Sequence, residues 1–233
     1  MRKTFRSLPL LVALLAPPSS TTLAGEGSRA DLPLQTGGAF SVPVASIKDL
    51  RFRNTLHQQF DFSCGSAAVA TLLTYNYAYP VSEQDVFREM YERGDQVKIR
   101  REGFSLLDMK NYLGAHGFEA DGFQAEIEQL LSASIPAIAL IKENGYNHFV
   151  VVKGLRNGRV LIGDPSAGAR AMPYKDFKSL WFNRILFVIR NQTELARFNA
   201  DADWRGAPSG PLSDGIYRGA AEAMLPKFGP SDF

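Results

Sequence analysis

Pro136 divides the chain into two textures. Ahead of it the sequence reads as helices; after it come short apolar runs of strand length, separated by turn residues. Residues 64–75 (CGSAAVATLLTY) are small and apolar almost all round, the pattern of a buried helix, and Pro80 closes that stretch. Ser82 stands where an N-cap belongs and Gly94 where a helix stops, which predicts a second helix up to Arg93. Ser105-Leu106-Leu107-Asp108 has the form of a capping box, opening a helix that ends at Gly117. A further short helix is predicted over about 124–132. Residues 137–141, 148–154, 159–163 and 185–189 read as strands, with a short helix near 174–180. Asn157-Gly158 joins the second and third strands and is a strong hairpin signal. Helices first and an antiparallel sheet second predict an α+β domain.

The N-terminus sets the compartment. Arg2, Lys3 and Arg6 precede an apolar run at 8–16, broken by Pro17-Pro18, and Thr22 and Ala24 are spaced for cleavage before Gly25. Residues 1–24 therefore read as a secretory signal that delivers the chain to the periplasm, with an uncleaved anchor as the alternative. The run is shorter than the roughly 20 residues of a membrane span, and no later segment reaches that length, so no stable membrane insertion is expected after cleavage. The formal charge is +2, but three of the cations and no acid lie in 1–24, leaving −1 for the remainder. Such a balance gives no footprint for nucleic acid. Residues 25–39, rich in small and polar types, read as a flexible leader, and 40–52 as mostly extended. The folded domain is expected over 40–190. Residues 191–233 read as a C-terminal arm or tail in which Trp204, Ile216 and Leu225 could pack, with a possible helix near 215–224.

The chain holds one cysteine, so no internal disulfide can form even in an oxidising compartment. A lone cysteine is often a plain buried hydrophobe. Cys64, however, stands at a helix start, where unpaired backbone N–H groups and the positive end of the helix dipole favour the nucleophilic thiolate. Of three histidines, His148 opens an apolar strand whose backbone would hold it firmly. His57 falls in a loop, and His116 sits at a helix end beside Gly117, where a histidine is ordinary capping. Asp164 ends the strand after His148, and the Asn157-Gly158 hairpin would bring the two together so that Asp164 orients the imidazole. A turn-forming Asp-Pro is the plainer reading of Asp164-Pro165. Gln58, six residues before Cys64, is the candidate side-chain donor to an oxyanion, beside the Cys64 N–H. One cysteine and three widely spaced histidines supply no ligand cluster, so neither metal nor cofactor is expected.

The run from Gln58 to Cys64-Gly65 with Ala67-Ala68, and then His148 followed by Phe149 and three valines with Asp164-Pro165 sixteen positions on, resembles the C39 peptidases over about residues 50–190. These are papain-like domains that cut leader peptides after a double glycine. The resemblance implies Cys64 as nucleophile, His148 as general base, Asp164 as its orienting residue and Gln58 as oxyanion donor. Ser63 stands where many exporters of that family carry an acid, and the chain shows neither a membrane span nor a nucleotide-binding P-loop. It is therefore more similar to the free-standing exported forms that accompany functional-amyloid and other outer-membrane export systems. The implied partner is a protein or peptide substrate, such as a fibre subunit or export component. A groove that holds a client for export without cutting it, and a related amidase or acyltransferase, are the alternatives.

Overall fold

The computed structural model describes residues 29–33, 39–143 and 145–207. Its contacts divide the chain into two units, 1–45 and 46–233. The predicted signal at 1–24 and the possible helix at 215–224 lie outside the described residues, as do Ile216 and Leu225.

In the first unit, β1 (Arg29–Pro33) pairs antiparallel with β2 (Ala39–Pro43). The stretch read as a flexible leader thus contains a strand, and only the start of 40–52 is extended. The rest of that segment holds a helix belonging to the second unit, α1 (Ile47–Phe52). Its cause is local: Ser46 Oγ accepts from Asp49 N while Asp49 accepts from Ser46 N, a reciprocal capping box in four residues.

The second unit continues with α2 (Cys64–Thr71), which passes into a π-helical turn at Leu72–Asn76. Three more helices follow: α3 (Glu83–Arg93), α4 (Gln96–Glu102) and α5 (Leu106–Ala115). Ser82 caps α3 by accepting from Asp85 N, and Ser105 with Asp108 forms the expected capping box of α5. The α4 helix was not predicted; Asp95 caps it by accepting from Val97 N and Lys98 N. The remaining elements are β3 (Ala120–Gln124), α6 (Glu128–Ala133), β4 (Ala137–Glu143), β5 (Tyr146–Arg156), β6 (Arg159–Asp164), β7 (Gly168–Pro173), α7 (Tyr174–Leu180), β8 (Trp181–Ile189), a 3-10 turn (Thr193–Leu195) and α8 (Asp201–Gly206). Residue 124, expected to open a helix, instead ends β3. Its strand partner β8 is about sixty residues away, and no local pattern announces that pairing.

The six strands β3-β8-β4-β5-β6-β7 form one antiparallel sheet. Side chains alternate across β5, and both faces are covered. Val151 joins Ile138, Phe187 and Ile189 under α2, α3 and α5. Val150 and Val152 pack with Ile127, Leu130, Phe177 and Trp181 on the opposite face. The fold is α+β, as expected, with α6 and α7 adding a layer on the second face. No helix among the described residues is long and apolar enough to cross a membrane.

Candidate active site

Every residue of α2 is buried, so Cys64 begins a helix enclosed by the core and is itself 9% exposed. The helix start carries no side-chain cap. Ser63 Oγ turns away, accepting from Phe60 N at 3.1 Å and donating to Phe60 O at 3.0 Å. The first-turn N–H groups next to the sulfur are therefore not claimed by a capping side chain. Gly65 is a packing requirement. A Cβ there would lie 2.8 Å from Met109 Cε and 2.9 Å from Phe104 Cβ. Gly65→Ala is expected to lower stability by about 1–3 kcal/mol through overpacking, read as a lower urea midpoint.

The sheet brings the imidazole to this helix start. His148 sits in β5 opposite Ile141 of β4, so its backbone is part of a ladder. On the other side the hairpin turns at Asn157 (φ 51°) and Gly158 (φ 70°), the left-handed pair that a tight two-residue turn requires. A β-bulge at Lys153 shifts the β5–β6 register, after which Val152 meets Ile162 and Val151 meets Gly163. Continued along β5, that register carries His148 to the turn after Asp164.

His148 Nε2 and Asp164 Oδ1 are 2.7 Å apart. The same oxygen accepts from Ser166 N at 2.9 Å, Ser166 Oγ at 2.7 Å and Ala167 N at 3.3 Å. Asp164 thus builds the turn and bonds the histidine with the same oxygen. Burial alone would raise its pKa, but the hydrogen bond and charge of His148, then Arg170 and Ser166, hold it well below the usual carboxylate range. Burial alone would lower the His148 pKa. Hydrogen bonds to Asp164 and Cys64, with their charges, outweigh that and raise it to about 9. With Nε2 taken by Asp164, Nδ1 is the ring nitrogen left for the sulfur.

The structure therefore brings Cys64, His148 and Asp164 together. Gln58 is tied to the same place through its backbone, its N–H donating to Pro165 O at 3.0 Å. Its side-chain Nε2 donates to Phe60 O at 3.0 Å, and its Oε1 is buried without a partner. One Nε2 proton is thereby engaged and a second remains. His57 is exposed and lies against the Phe52 ring; His116 bonds Glu89 and Tyr79 away from this site. Sequence reasoning missed Arg170 and Glu143, which close around Asp164 from β7 and β4. Without β7 in hand, nothing local to Arg170 marks it.

A thiol at an uncapped helix start, an imidazole beside it and a buried carboxylate bonded to that ring stand together here. The chain belongs to the Peptidase C39 family, whose model matches residues 53–193. It is 39% identical over 192 residues to the probable functional amyloid protease FapD of Pseudomonas aeruginosa, covering 82% of this chain and 81% of that one. It is also 39% identical to the protein of the same description from Pseudomonas fluorescens, with 79% of each covered. Among solved structures, the peptidase domain of Streptococcus ComA aligns with a TM-score of 0.49 at 23% identity, over 58% of this chain and 96% of that domain.

Proposed function

We propose that this cysteine peptidase is exported to the periplasm and cleaves a secreted client, of the kind assembled by functional-amyloid or related export systems, through a Cys64–His148–Asp164 triad. The observation that carries the mechanism is the 2.7 Å bond between His148 Nε2 and Asp164, with the other ring nitrogen left to Cys64. The client class is supported by the similarity to the two probable functional amyloid proteases.

The chemistry follows from the geometry. The Cys64 sulfur, its proton held by His148, attacks the scissile carbonyl and a C–S bond forms. The oxyanion is received by the Cys64 N–H and the remaining amide proton of Gln58. The imidazolium gives its proton to the departing amine as the C–N bond breaks. His148 then takes a proton from water, which attacks the thioester and releases the acid while sulfur leaves. Phe60 and Phe62 stack 5.7 Å apart just before Cys64, and Phe60 is half exposed, an apolar rim suited to a peptide chain.

Because His148 keeps its proton to about 9, the pH profile of kcat/KM should fall along a basic limb near that value, as the proton donor to the amine is lost. The same shift makes the His148 contribution to folding stability complete below about 6.5 and lost as pH rises through about 9. The client is identified by comparing exported proteins from cells carrying the wild type and Cys64→Ala by N-terminal mass spectrometry. At least one exported protein should lose a processed end in the variant. Identical sets of ends would reject the proteolytic reading and favour a groove that only holds its client.

A further inference from the structure

Asp164 has a second oxygen, and the triad leaves it unused. Oδ2 is taken by Arg170 Nη2 at 2.8 Å, and Glu143 grips the same guanidinium through both terminal nitrogens, Nη2 donating to Oε2 at 2.7 Å and Nη1 to Oε1 at 3.2 Å. Three strands contribute: Glu143 ends β4, Asp164 ends β6 and Arg170 lies in β7. The β6–β7 turn keeps them together, since Asp164 pairs with Gly168, two residues before Arg170. The carboxylate that holds His148 is 1% exposed, and the guanidinium beside it is 27% exposed. The imidazole and the Ser166–Ala167 turn all hold Oδ1, so the placement of Oδ2 falls to the group it faces. A guanidinium fixed in its plane by a bidentate acid supplies that placement.

We infer that Arg170, itself clamped by Glu143, is a positioning residue that sets the plane and the effective charge of Asp164 and so the hold of Asp164 on His148. The inference rests on the proposed catalytic role of Cys64 and His148. Among the described residues, the charged or titratable groups that face the imidazole are Cys64 of α2, Glu143 of β4 and Asp164 of β6, with Arg170 of β7 behind the two carboxylates. Arg51 of α1, packed over Gly168, is the further cation on this side.

The arrangement gives two removals opposite signs. Taking away the Arg170 charge removes the cation that competes with the imidazolium for Asp164, and the imidazolium then holds its proton more tightly. Taking away the Glu143 charge frees Arg170 to draw on Asp164, and the imidazolium is held less tightly. The test titrates the three histidines of the full chain by NMR, with His148 assigned by its loss in His148→Ala. Arg170→Gln should move the His148 midpoint up, and Glu143→Gln should move it down, each by about one pH unit. Arg170→Lys, which keeps the charge and loses the fork, should stay near wild type in midpoint. It should nonetheless slow alkylation of Cys64 by iodoacetamide several-fold. Unmoved midpoints, or shifts of the same sign in both variants, would overturn the inference. Those results are separable from failure of the catalytic reading, which would show as no dependence of Cys64 alkylation on His148. Should Arg170→Gln fail to fold, Glu143→Gln and Arg170→Lys still decide the matter.

Discussion

Cys64→Ala is expected to reduce cleavage by at least ~10⁴-fold with little change in unfolding midpoint, and His148→Ala by a comparable factor but with a lowered midpoint, because it takes the imidazolium from the buried Asp164. The two losses should not add. Sulfur and imidazole act as one unit, so the double variant is expected near the rate of either single one. Removing a sulfur atom from a helix of small residues is a mild packing change, and α2 stays in the core it shares with Phe104, Met109, Phe149 and Val151. Rates are read with the client peptide and stability by urea, so that loss of chemistry is distinguished from loss of fold. A Cys64→Ala protein that still cut its client would contradict the assignment outright.

The second large effect concerns the far end of the domain. Lys153, the bulge residue of β5, is 1% exposed in its side chain, and its ammonium bonds Asp203 Oδ1 of α8 at 2.9 Å and Asn54 O at 2.7 Å. Asn54 Nδ2 also donates to Asp203 Oδ1, at 2.7 Å. Trp204 packs with Leu161, Ala169 and Ala171, while Asn199 pairs with the backbone of Lys153 and Leu155. The stretch from 191 to 207 is thus fastened to the sheet, and its anchor reaches the segment that carries Gln58 four residues on. Asp203→Ala strands a buried ammonium and is expected to lower stability by about 3–5 kcal/mol in urea unfolding. Lys153→Met with Asp203→Leu removes both charges and should recover most of that loss, since a desolvated pair is worth little against apolar side chains of similar volume. A single-variant loss under 1 kcal/mol would mean that the ammonium finds water or another partner.

Local signals carried the sequence reading where the physics is local. Ser82, Ser105 with Asp108, and Asn157-Gly158 each satisfy or shape their own few residues of backbone, so the ends of α3, the start of α5 and the β5–β6 turn could be read directly. The Ser46–Asp49 box is equally local, but Val42, Val44 and Ile47 around it read as the apolar anchors of an extended chain. The β3 and β7 strands were missed for a different reason. Each is an edge strand whose ladder partner alone defines it, and β3 holds Asp121 and Gly122 where a strand former would be expected.

The site divides in the same way. Cys64 was marked by its place before a buried helix, and His148 and Asp164 by the hairpin between them. The Glu143–Arg170 clamp joins residues 27 apart across non-consecutive strands. It depends on β7 being paired with β6, which no spacing in the sequence expresses. Gln58 was marked by its distance from Cys64, but its side-chain bond to Phe60 O is a loop detail that spacing does not contain.

The central claim is that His148 activates Cys64. It is tested most directly by the rate at which iodoacetamide alkylates Cys64 at neutral pH, followed by intact mass in the wild type and in His148→Ala. A rate at least tenfold higher in the wild type is the predicted result. Equal rates in the two proteins would show that the imidazole leaves the sulfur unchanged and would contradict the account.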